Sequence, residues 1–218
     1  MRRVTGVVVD RWARAVLGSA SIGAGTGLAL AAHLGVMPWD VLHVGLARLL
    51  GVSVGTAITL VSAGMAAIVW GPLRVLPGPA SAIGLVVPGA AADAVLAVIR
   101  PGGTVVDQVL LVVAGAGVVA GGVVLMWSAG LGVGVRDGLM LGLAARGWHV
   151  GIARTGIEVG ALLLGWLLLT VLGKADGVVG VATVALAVGL GPLIAVLRRQ
   201  VGALPAGAVP VGAVGVPT

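Results

Sequence analysis

"VVDQVLLVVAGAGVVAGGVVLMWS", residues 105–128, decides the fold. Beyond Asp107 and Gln108 it carries neither charge nor proline, and it spans the roughly 20 residues a helix needs to cross a hydrocarbon core. Its apolar residues run continuously rather than alternating, which argues against an outer-membrane barrel strand. Its glycines suit closely packed membrane helices. Working outward, comparable runs lie at 15–36, 52–72, 80–99, 150–172 and 177–197. Short punctuation separates several of them: "GPLRVLPGP" at 71–79, "RPGGTVVDQ" at 100–108 and "GKADG" at 173–177.

The whole chain agrees with this reading. It is 218 residues long, 59% hydrophobic and only 9% charged, with 39 glycines. A water-facing domain carries roughly a quarter charged residues, so lipid is the expected solvent. The formal charge of +6 does not imply nucleic-acid binding, because the arginines sit scattered at the ends of apolar runs. Such placement is the ordinary orientation signal of membrane proteins. With no cysteine there is no disulfide framework, thiolate nucleophile or cysteine-ligated metal. The basic start, residues 1–14, precedes a first span read as retained rather than cleaved, because its counterpart in the second half is internal. The last segment, 200–218, is Pro/Gly/Ala/Val-rich without charge, which predicts a disordered tail.

Residues 25–47 set against 122–144, a shift of 97, share eleven of 23 positions, including Gly25/Gly122, Asp40/Asp137 and Gly45-Leu46-Ala47/Gly142-Leu143-Ala144. Composition alone would give about three, so the chain is expected to hold two membrane repeats, 15–100 and 101–199. Each contains a short segment, 38–50 or 135–146. Thirteen helical residues reach only about 20 Å, less than the roughly 30 Å core. If these segments are re-entrant or interfacial, each half has three transmembrane helices and the halves are inverted. The expected protein is thus all-α, with six crossings and both termini cytoplasmic in the cell membrane. Arg48, Arg100 and Lys174 then lie outside and the other ten Lys and Arg inside, as the positive-inside rule asks.

Why would such a chain place Pro38, Trp39, Asp40 and His43 together? Asp40 precedes an apolar run ending at Arg48 and Gly51, and Asp137 one ending at Arg146 and Gly147. Each reads as a short helix with an N-cap acceptor, a cation in the last turn and a glycine stop. The same pattern also describes paired half-helices meeting at a cavity, as in inverted-repeat transporters. Trp39 reads as an interfacial anchor. His43, replaced by Met140 in the second half, is either solvated or hydrogen-bonded to Asp40. Arg136 stands where the first half has Trp39. Arg154 and Glu158, one turn apart, could pair or face a wet interior, and Asp93 lies just past Pro88 in an apolar run. Gly23/Gly27 and Gly117/Gly121 are small-xxx-small pairs read as packing positions. His33, His43 and His149 lack metal-site spacing, and nothing resembles a catalytic set. Neither metal, cofactor nor enzymatic activity is expected.

"GVMPWDVLHVGLARLLGVSVGT" and "GVGVRDGLMLGLAARGWHVGIARTGIEV" resemble signature stretches of the YczE/YitT-like family of bacterial membrane proteins. The resemblance covers most of residues 20–199, and Val135 stands where that family's pattern has proline. It implies an integral membrane protein and supplies neither substrate nor catalytic residues. Two functions stay open. One is a small-solute transporter or permease-like protein, binding a small molecule or ion. The other is a scaffold or accessory subunit that meets a membrane partner protein or forms a homo-oligomer.

Overall fold

The computed structural model describes residues 2–75, 78–100, 103–132, 134–174 and 177–200, with side chains from residue 8 onward. The tail expected beyond Gln200 lies outside the described residues. Among those described, every regular element is a helix: α1 (Arg2–Ala31), α2 (Pro38–Leu50), α3 (Val54–Trp70), α4 (Pro79–Val98), α5 (Val105–Ser128), α6 (Val135–Ala144), α7 (Val150–Val171) and α8 (Val181–Gln200). Four of these, α4, α5, α7 and α8, are long and apolar enough to cross a bilayer. The number becomes five if α2 and α3, bent by 109° at their break, form one broken span. Val98, Val171 and Val181 are each more than three-quarters exposed, so the outer wall is apolar, as lipid requires and water does not tolerate.

The expected span at 15–36 is displaced. Its helix starts at Arg2 and ends at Ala31, because His33 (φ 56°) and Gly35 (φ 113°) turn the chain into left-handed backbone. In the second half Gly130 (φ 60°) and Gly132 (φ 96°) do the same after α5. Each turn carries a carbonyl to a distant helix start. Leu34 O accepts from Ala182 N at the head of α8 (3.1 Å), and Leu131 O accepts from Ala80 N at the head of α4 (3.2 Å). These bonds satisfy helix-start donors that lipid would leave bare.

α1 is the central element, packed along both α4 and α5. Gly18 meets Gly122 and Gly25 meets Gly115, so α1 and α5 cross antiparallel with their backbones touching. Absence of side chains at these four positions is what permits the approach. The pairs expected from sequence divide differently. Gly23 and Gly27 do pack, against Pro88, Ala92 and Val95 of α4, whereas Gly117 and Gly121 face open space. α4 continues as a helix through Pro88. Elsewhere α2 lies on α7 through Gly45 and Gly165, α3 on α4 through Gly55 and Gly89, and α3 on α6 through Val69 and Gly138.

Arginines tie down the connections. Arg11 donates to the carbonyls of Ala129 (2.8 Å) and Gly130 at the end of α5. Arg48 donates to the Lys174 carbonyl, and Arg146 to those of Pro72 and Leu73. Arg48 and Lys174 therefore share one end of the bundle, while Arg146 shares another corner with the link that contains Arg74.

Candidate functional site

α2 starts because Pro38 occupies its first turn, where a missing N–H costs nothing and φ is already helical. Met37 is the extended N-cap residue and offers no side-chain acceptor. Asp40 is thus the third residue of the helix, not the cap expected from the sequence. Its backbone N–H bonds Met37 O at 2.8 Å. The other end follows expectation: Gly51 at φ 67° closes the helix, its N–H on Ala47 O, with Arg48 in the last turn.

The Asp40 carboxylate turns inward instead. Oδ1 lies 3.0 Å from His43 Nδ1, one turn along, and the two side chains are 5% and 6% exposed. His43 is therefore buried and paired, not solvated. Among the described residues Asp40 Oδ2 is buried without a hydrogen-bond partner, and so is the neighbouring Trp39 Nε1. Trp39, expected at a membrane surface, is 5% exposed. Its ring carries the Arg136 guanidinium, 4.7 Å from the centroid. That contact joins the heads of α2 and α6 by a cation–π interaction, which desolvation strengthens.

α6 repeats the arrangement with different chemistry. Gly134 is its N-cap residue and Asp137 is again third, not the cap. Here the carboxylate accepts from the indole of Trp127 on α5, Nε1 to Oδ2 at 3.3 Å. Both short helices thus point their first turns, without side-chain caps, toward one cavity of about 1040 Å³. Its wall includes Trp39, Asp40, His43, Arg136, Asp137, Arg154 and Glu158. Seven of the eight residues singled out from sequence are thereby brought together. Arg154 and Glu158 form no ion pair with each other, the only pairs among the described residues being Arg14–Asp10 and His43–Asp40.

Asp93 stands apart. Its Oδ1 accepts from Gly55 N (2.7 Å) and its Oδ2 from Ser53 Oγ (2.6 Å), so it seals the start of α3 from across α4. Ser53 is itself the N-cap, accepting from Thr56 N. Sequence reasoning missed Trp127, because Leu30 stands at the position 97 residues earlier and gives no hint of it. It also missed Arg198 and Arg199, which reach the cavity from the last turn of α8. Their basic pair read only as an orientation signal.

Residues 9–199 match a family described as one of unknown function, DUF6198. A relative from Haemophilus influenzae, described as an uncharacterized protein, is 28% identical over 186 residues, 84% of this chain and 81% of its own length. The Bacillus subtilis protein described as uncharacterized membrane protein YczE is 28% identical over 134 residues, 61% of this chain and 62% of its own. No solved structure matches. The family match runs from Val9 in α1 almost to the end of α8, over the whole set of apolar helices that fit a membrane, and the chain belongs to this DUF6198, YczE-like family.

Proposed function

We propose that the chain is a non-enzymatic transporter or permease-like protein for a small solute, whose route passes through the cavity between two inverted halves. One observation carries the reading: the first turns of α2 and α6, one from each half, open into the same cavity with Asp40 and Asp137 on its wall. Half-helix starts facing a shared cavity are how inverted-repeat transporters present free backbone donors to a solute.

Packing supports the inversion. Under the shift of 97, Gly18 corresponds to Gly115 and Gly25 to Gly122. Each α1 glycine meets the counterpart of the other, the exchange that a twofold axis between two elements requires. Leu34 and Leu131 are also 97 apart, and each bonds the second residue of a helix in the other half, Ala182 of α8 and Ala80 of α4. Corresponding helices that run antiparallel belong to halves of opposite orientation. Six crossings with both termini cytoplasmic satisfy that orientation and the positive-inside rule together. Against transport stands the glycine-tight α1–α5 crossing, which equally suits a scaffold subunit without a solute route.

The test is uptake and efflux in proteoliposomes across a panel of small metabolites, with and without a pH gradient, comparing wild type, Asp40→Asn and Asp137→Asn. Transport predicts flux above empty liposomes that at least one Asn variant abolishes while remaining folded. Absence of flux for every solute, with a folded protein, leaves the scaffold reading.

A further inference from the structure

We infer that Asp40 and His43 together form a proton-binding site on the cavity wall. A carboxylate that is 5% exposed needs partners for both oxygens, and here Oδ1 has His43 Nδ1 while Oδ2 has none. Among the described residues no lysine or arginine approaches it within ion-pair distance. With neutral histidine the pair holds a full negative charge in a buried position, with one oxygen bare, which is costly. A single proton removes that charge. It adds to His43 Nε2, the ring nitrogen not engaged with Asp40, as hydronium in the cavity gives up one O–H bond and becomes water. The imidazolium Nδ1–H then donates to Oδ1 and the pair passes from −1 to 0. His43 lines the cavity, so its ring connects the buried carboxylate to the space from which a proton comes.

The charges around the site modulate it without replacing it. From α6 come Arg136, stacked on Trp39, and Asp137; from α7, Arg154 and Glu158; from α8, Arg198 and Arg199. Among the described residues α1, α3, α4 and α5 bring no charged side chain to this wall. The second half has no equivalent site. Met140 replaces His43, and Asp137 is held by the Trp127 indole, which is a donor only and takes up no proton. Only what a bound proton would drive rests on the transporter reading; the binding itself does not.

The experiment is a pH titration of the full chain in liposomes with no solute added, from about pH 5 to 9, the range where imidazole changes charge. The readouts are ¹⁵N-histidine magnetic-resonance shifts and the infrared carboxyl bands. The expected result is one imidazole, identified by its loss in His43→Gln, that titrates together with a carboxyl band. Asp40→Asn should displace that titration, because the adjacent opposite charge is gone, and should displace it further than Asp137→Asn does. If Asp40→Asn does not fold, His43→Gln decides through the carboxyl band, whose pH dependence should change. A His43 signal constant across the range, or a titration identical in wild type and Asp40→Asn, overturns the inference. Neither result depends on flux, so the transporter reading stands or falls separately.

Discussion

Substituting the crossing glycines of α1 and α5 tests whether backbone contact holds this bundle together. A Cβ at Gly25 would lie 2.6 Å from Gly115 O, and one at Gly115 would lie 2.7 Å from Gly25 O. Ordinary contact begins near 3.4 Å, so alanine at Gly25 requires the helices to part by 0.8 Å (3.4 − 2.6). Backbone cannot step aside as a side-chain tip can. A gap of that size forfeits about a quarter to a half of the dispersion energy along the contact, and overpacking of this kind costs about 1–3 kcal/mol. Alanine returns up to about 1 kcal/mol in helix propensity, leaving a net loss of about 0–2 kcal/mol. Gly117 and Gly121, on the same helix, meet nothing within 4 Å, and alanine there should be neutral or stabilise by up to about 1 kcal/mol. Thermal unfolding in detergent should therefore separate the two groups, with Gly18, Gly25, Gly115 and Gly122 variants falling and Gly117 and Gly121 variants holding or rising. At about 2–4 °C per kcal/mol for a chain of this size the separation is measurable. The double variant Gly25→Ala/Gly115→Ala should lose less than the sum, because one displacement accommodates both. If none of the four crossing variants melts below Gly117→Ala and Gly121→Ala, the close crossing is refuted.

Three further outcomes follow from the same geometry. Asp93→Ala removes the acceptor of Gly55 N and one of the partners of Ser53 Oγ and should cost about 1–3 kcal/mol in the same melt, with Asp93→Asn recovering part of it; equal stability of all three forms would contradict the sealing role. Trp39→Phe removes a buried indole donor that has no partner and should leave the melting point unchanged or higher, apart from lost Arg136 stacking, unless a bound solute uses that donor. Single cysteines beside Arg48 and Lys174 should label from outside intact cells, and one beside Arg74 only after permeabilisation; external labelling near Arg74 would overturn the inverted six-crossing arrangement.

Much of the fold was legible because lipid imposes simple demands on a chain. Long uncharged runs such as 109–128 have few alternatives to helix, and five of the six expected spans lie within a few residues of one. The first span differs because its helix runs back through the basic start to Arg2. Arg11 and Arg14 are helical, one bonded to the end of α5 and the other paired with Asp10. The candidate site was legible as a set of residues and not as an arrangement. Spacing put Asp40 at the N-cap, but with Pro38 in the first turn the cap lies three residues earlier, at Met37, and Asp40 becomes a buried partner of His43. No local pattern distinguishes Asp93, bonded across 38 residues to Gly55, from an acid facing a cavity. Contacts of that range are set by how helices cross, which for α1 and α5 depends on glycines seven residues apart that the small-xxx-small rule does not count.

The two carbonyl bonds from Leu34 and Leu131 also bear on the order in which the chain is made. The head of α4 receives its acceptor from a residue that follows α5, and the head of α8 receives its own from a residue that precedes α2. As synthesis proceeds, the first half therefore emerges with the start of its last helix unsatisfied and must wait for Leu131, 51 positions beyond Ala80 (131 − 80). Leu34, meanwhile, stays without its partner until nearly the whole chain is inserted. Neither half can complete its own backbone bonding in the bilayer, so two separately encoded halves should persist when co-expressed, whereas either alone should be degraded.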